Sequence, residues 1–187
     1  MPNLNHHLIS DVIRSRRTIN QFAPEPVPTE IVLEGLELAI WAPNHKLTQP
    51  WRFYLLGKET SQRIVNLNAE MVQESKGQEA AQKKRERWST IPGWLVVTSQ
   101  RSDDAIRDKE DYASVCCAIQ NLSLFLWDAG IGMKWTTGPV TRSDEIYEIL
   151  NLDRKQEEIV GVMWYGYPAE TPQMKRRPAS EFVTQLP

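Results

Sequence analysis

"YASVCCAIQNLSLFLW", residues 112–127, is the longest stretch of the 187-residue chain without a charged side chain. Tyr112, Val115, Cys116, Ile119, Leu122 and Leu126 recur at i, i+3, i+4 and i+7 and make one apolar helix face. Ala113, Cys117, Ala118 and Phe125 make the remaining sides apolar too. At sixteen residues, with Gln120, Asn121 and two serines among them, the segment falls short of a membrane span, which takes ~20 apolar residues. It is a buried helix that needs cover on most of its surface, from a sheet on one side and with room for a second subunit on the other. In that setting the Asn121-Leu-Ser123 sequon is coincidental.

The flanking sequence supplies the sheet. "PGWLVVTSQ" at 92–100 and "EIVGVMWYGYP" at 158–168 have the β-branched and aromatic content of buried strands. Arg52 to Leu56 and "MKWTT" at 133–137 read as shorter ones. Helices are predicted over Leu8–Ser15, Glu30–Trp41 with Thr29 as its cap, Thr60 to about Glu86 with a break at Gly77, and Ser143–Leu150. Beyond Pro168 the chain is rich in proline and lacks apolar periodicity, which predicts an extended arm. Helices and strands are mixed without a strict βαβ repeat, so the fold class is α+β with a central sheet, in one domain spanning residues 1–187.

A net charge of −2 with 41% hydrophobic and 25% charged residues gives no global attraction to nucleic acid or to an anionic membrane. The basic run Lys83–Arg87 is interrupted by Glu86 and reads as a solvated helix face. Cys116 and Cys117 are adjacent, so neither redox nor zinc-ligand spacing exists, and both are expected to be buried structural thiols. The start "MPNLNHHLISD" lacks the pattern of a signal peptide, which fits a reducing, cytoplasmic location. Gly130 and Gly132 do not complete a dinucleotide fingerprint, and phosphate loops, nucleophile elbows and zinc-protease pairs are missing.

Two basic clusters lie at opposite ends of the chain, "RSRRT" at 14–18 and "KRR" at 175–177. Guanidinium forks match phosphate oxygens, and the Thr18 hydroxyl adds a neutral donor. Each cluster alone reads as solvent-facing charge; brought together by a returning arm they would clamp a phosphate. "APNHKLTQPWRF", residues 42–53, sets His45 between Pro43 and Pro50, as a structural hydrogen-bonder or a group at a site. Trp135, Thr136 and Thr137 place an aromatic ring and two hydroxyls at a strand end, for core packing or for a ligand.

Taken in order, "RRT" at 16–18, "APNHKLTQPWRF", "GIGMKWTTG", and "VGVMWYGYPAE" followed by "KRRP" resemble the nitroreductase family of FMN-dependent oxidoreductases, in its small single-domain subgroup. The resemblance covers nearly the whole chain. It implies a mostly antiparallel sheet flanked by helices, and a homodimer with FMN at the subunit interface. Arg16, Arg17 and Thr18 would hold the FMN phosphate with Arg176 or its neighbour Arg177. Trp41 and His45 would approach the flavin from the helix end and the quoted loop, and Trp135, Thr136 and Thr137 would line it from the other subunit. Position 20 is Asn where the family often carries Lys or Arg. The implied activity is ping-pong hydride transfer from NAD(P)H to a nitroaromatic, quinone or related electron-poor acceptor, with no side chain acting as acid, base or nucleophile. A specialised flavin reductase, dehalogenase or dehydrogenase, or a non-catalytic FMN-binding protein, stand as alternatives on the same scaffold.

Overall fold

A computed structural model describes residues 6–187. In chain order the elements are α1 (His6–Ser15), α2 (Thr29–Ala39), β1 (Trp51–Leu55), α3 (Lys58–Lys76), α4 (Gln78–Ser89), β2 (Gly93–Gln100), α5 (Ala105–Asp128), β3 (Gly132–Thr136), α6 (Asp144–Leu150) and β4 (Glu157–Gly166). The strands form one sheet in the order β1-β2-β4-β3, with every neighbouring pair antiparallel. This is the α+β architecture expected. The parallel contact is an isolated bridge between Thr18 and Met133, outside the strands. Beyond β4 the arm is extended apart from a short 3-10 turn at Ala179–Glu181.

Strand β2 is buried along Gly93–Ser99, so side chains alternating to its two faces must both find cover. Leu95 and Val97 point to a core shared with Val115, Ala118, Ile119, Leu122 and Leu126 of α5 and Ala39 of α2. Trp94 and Val96 point the other way, to Ile64 and Val65 of α3, Trp88 of α4, and Ile146 and Tyr147 of α6. Helices therefore cover both faces of the sheet. None of the described helices is long and apolar enough to cross a membrane.

Helix α5 begins at Ala105, well before the apolar run. Its first turns are charged, so periodicity does not mark them; the start is fixed instead by Asp104, whose carboxylate accepts the amide N–H groups of Ile106 (2.9 Å) and Arg107 (3.2 Å). Those two bonds hold the Asp104 carboxyl below its usual range. Within one chain the helix is covered on one side, and Ala113, Cys117 and Gln120 stay exposed. The expectation of two buried thiols is thus corrected: Cys116 is half-buried and Cys117 is exposed. Thr29 is likewise the first residue of α2, after Pro28, and caps nothing with its side chain. Ser143, read from the sequence as the first residue of its helix, is instead the cap of α6, accepting the Ile146 N–H at 3.4 Å, and Gly77, with φ of 84°, separates α3 from α4 as expected.

The β2–β4 register shifts between Val97 and Thr98, because Val97 faces Gly161 and Thr98 faces Ile159. Val160 is the extra residue of this bulge, and its carbonyl accepts the indole N–H of Trp135 at 3.1 Å. The ring lies across Gly161: a Cβ built there would sit 2.2 Å from Trp135 Nε1 and 2.5 Å from its Cδ1. Gly161→Ala is therefore expected to push the indole off its hydrogen bond and to destabilise the fold by about 1–3 kcal/mol. A urea midpoint unchanged from that of the wild type would contradict this account.

Candidate functional site

The two chain ends meet at one edge of the sheet. After α1 the backbone runs beside β3, where Ile19 N–H donates to the Met133 carbonyl at 3.2 Å. It then pairs with the chain leaving β4, through Ala23 N–H to Tyr167 O (2.8 Å) and Ala169 N–H to Gln21 O (3.1 Å). This pairing aims the C-terminal arm back across the end of α1. Between them lies a cleft of about 660 Å³ whose polar wall is Arg14, Arg16, Arg17, Thr18, Asn20 and Arg176. Ile13, Pro172 and Met174 make its apolar wall.

No acidic side chain lines this cleft, and among the described residues no ion pair involves Arg14, Arg16, Arg17 or Arg176. Arg17 is braced by its own backbone, donating from Nη1 to the carbonyls of Arg14 (2.6 Å) and Arg16 (3.0 Å). Burial, and then the charges of Arg17 and Arg176, lower the pKa of the Arg16 guanidinium. A guanidinium starts so high that it stays a cation at neutral pH. The two arm arginines differ: Arg176 lines the cleft, whereas Arg177 pairs with Glu181 at 3.2 Å and lies over the Phe182 ring at 4.5 Å.

The loop at 42–53 is built by Asn44. Its amide donates to Thr48 Oγ1 (2.9 Å) and Ser114 Oγ (3.3 Å), while its oxygen accepts the Gln49 N–H at 2.7 Å. Thr48 in turn donates to the buried Asp111 of α5. This anchoring holds Lys46, Leu47 and Gln49 at positive φ (57°, 52° and 48°), a region non-glycine residues rarely enter. Trp41 is 82% exposed at the end of α2. His45 Nδ1 lies 3.8 Å from Glu110 Oε2, with both side chains open to solvent. On β3, Thr136 donates its hydroxyl to Val162 O at 2.8 Å, and the Thr137 carbonyl accepts from Arg142 at 2.8 Å.

The sequence-predicted residues thus fall into two groups. Arg16, Arg17, Thr18 and Arg176 converge on the cleft. Trp41, His45, Trp135, Thr136 and Thr137 are not among the residues lining that cleft within the one chain. Sequence reasoning missed the Asn44–Thr48–Asp111–Ser114 frame, because Asp111 is 63 positions from Thr48 and no local spacing links them. An asparagine in a proline-bounded loop was the one available signal. It also missed Lys134, whose ammonium donates to Asn20 Oδ1 at 2.8 Å.

Comparison with known proteins gives one consistent result. The chain is 36% identical over 186 residues to YfhC of Bacillus subtilis, provisionally named an NAD(P)H nitroreductase, covering 97% of this chain and 95% of that one. It superimposes on a nitroreductase-like family protein from Bacillus cereus with a TM-score of 0.84 and 30% identity, over 95% of each chain. A Desulfovibrio desulfuricans protein solved in complex with FMN shares the fold at a TM-score of 0.77 and 22% identity, over 96% of each chain. With the nitroreductase family profile matching residues 13–167 as well, the chain belongs to the nitroreductase family.

Proposed function

We propose that this protein is an FMN-dependent NAD(P)H oxidoreductase, a cytoplasmic single-domain chain that works as a homodimer and reduces nitroaromatic, quinone or related electron-poor acceptors. The observation that carries this reading is the cleft where Arg16, Arg17 and Arg176 gather without an acidic partner. Like charges held together at a partly buried site are unfavourable until an anion joins them. A phosphate ester fits that deficit: three forks and the Thr18 hydroxyl match its terminal oxygens, and Ile13, Pro172 and Met174 suit the carbon chain behind it. FMN, when bound, supplies the two-electron chemistry that moves hydride from NAD(P)H to the acceptor in alternating half-reactions.

The chain's own part is binding, orientation and exclusion of water. Arg16, Arg17, Thr18 and Arg176 anchor the phosphate end. Trp41, His45, Trp135, Thr136 and Thr137 meet the ring across a subunit interface, a role supported by their absence from the chain's own cleft and by the exposure of both tryptophans. Cover for that interface is supported by the exposed apolar residues Leu33, Leu38, Ile40, Trp41 and Leu47, on α2, which packs on α5, and on the segment that follows it. Apolar surface of this extent is characteristic of a buried contact.

The freshly purified protein is expected to be yellow and to bleach when NAD(P)H is added without oxygen; a chain that FMN cannot colour would remove the reading. Replacing both Arg16 and Arg176 by Ala should cost roughly 3–6 kcal/mol of FMN binding, about two to four orders of magnitude in Kd. Fluorescence titration of FMN measures this, and an unchanged Kd would sink the phosphate assignment. Sedimentation at low micromolar concentration should give a dimer, whereas a monomer that keeps full FMN affinity would contradict a shared site.

A further inference from the structure

Asn20 is a wall residue of two cavities. Besides the arginine cleft it borders a second one of about 510 Å³, walled by Phe22, Ile91 and Trp164 on its apolar side and by Arg87 and Thr90 on its polar side. Lys134 of β3 stands against two of its wall residues: its ammonium is 2.8 Å from Asn20 Oδ1 and 5.0 Å from the centre of the Trp164 ring. The surroundings are one-signed. No carboxylate lines the cavity, and neither Lys134 nor Arg87 has an acidic partner among the described residues. Burial, followed by the charges of Arg87 and Lys84, lowers the Lys134 ammonium from its usual range.

Positive charge, the Thr90 hydroxyl and the flat aromatic wall of Trp164 together describe a receptor for a planar or short-chain anion. Two other basic residues of α4 differ: Lys83 pairs with Glu79 at 2.6 Å, and Arg85 donates to Asn66 at 2.8 Å.

We propose that this second cavity binds an anionic group, a carboxylate or phosphate, with Lys134 and Arg87 as its charge partners, on a molecule that reaches the arginine cleft past Asn20. That the anion belongs to a reaction partner of the flavin rests on the proposed function; that the cavity takes an anion does not.

The test is calorimetric titration of the FMN-loaded full chain, whose arginine cleft is then filled, with benzoate and with its neutral analogue benzamide. Benzoate is expected to bind once per chain and benzamide not to bind. Lys134→Gln and Arg87→Gln should each weaken benzoate at least about tenfold, while Lys134→Arg should stay within about threefold of wild type. Arg87 is exposed on α4, so its variant keeps the test decisive if Lys134→Gln fails to fold. Equal binding of benzoate and benzamide, or a benzoate affinity indifferent to both glutamine variants, overturns the proposal. Displacement of benzoate by NADP+ would identify a phosphate of the nicotinamide donor as the source of the anion. Benzoate that NADP+ leaves in place would identify a carboxylate on the acceptor, and both results sustain the cavity. A chain that binds FMN but no benzoate loses the cavity and keeps the cleft. A chain that rejects FMN while its benzoate affinity still depends on Lys134 and Arg87 loses the cleft and keeps the cavity.

Discussion

Backbone pairing between residues 21–23 and 167–169 joins the two ends of the chain, and the cleft depends on it. Neither partner segment belongs to a regular strand, yet each satisfies amide and carbonyl groups that would otherwise face the sheet edge. The pairing fixes where the arm departs, and so brings Arg176 to a cluster some 160 positions earlier in sequence, a separation read from the chain itself. Without it, the arm has little to hold it: most of its side chains beyond Glu170 are exposed. A charge cluster that local helix geometry could not build is therefore a product of topology.

The same division of labour runs through the molecule. The interior of the sheet is occupied by stability, with β2 buried on both faces and α5 laid along one of them. The candidate site groups lie at the rim: a loop held in left-handed backbone by Asn44, a bulge that seats Trp135 on Gly161, and a cationic edge around Asn20. Each of these is locally unfavourable and is held in place by the regular structure beside it. The Asn44 frame shows how: a side chain in a loop borrows the buried Asp111 and Ser114 from α5, the longest of the described helices.

Much of the fold was legible because its signals are local. The β-branched run at 92–100, the glycine at 77 and the proline-rich tail each mark an element or a boundary through their own backbone preferences. The start of α5 was not legible, since residues 107–111 are all charged and Asp104 identifies itself as a cap only once the helix is known. Thr29 misled for a related reason: a hydroxyl before an apolar face is a common cap, but here the capping position falls on Pro28. The basic clusters were visible as residues, whereas their meeting was not, and the difference between Arg176 and Arg177 rests on Glu181 and Phe182 further along the arm. Lys134 looked like one alternate position of a strand and became informative only beside Asn20.

On the proposed reading, in which the arginine cleft takes the cofactor's phosphate, it also ties folding to occupancy. Because Arg16, Arg17 and Arg176 repel one another while the cleft holds no anion, the ligand-free chain sits at a shallower minimum than the same chain with a phosphate in place. By mass action, each tenfold excess of ligand over its Kd adds about 1.4 kcal/mol to the native state alone. A newly made chain would therefore gain resistance to unfolding and proteolysis with the logarithm of the free cofactor concentration around it. Cofactor supply then governs how much of the protein persists as well as how much of it is active.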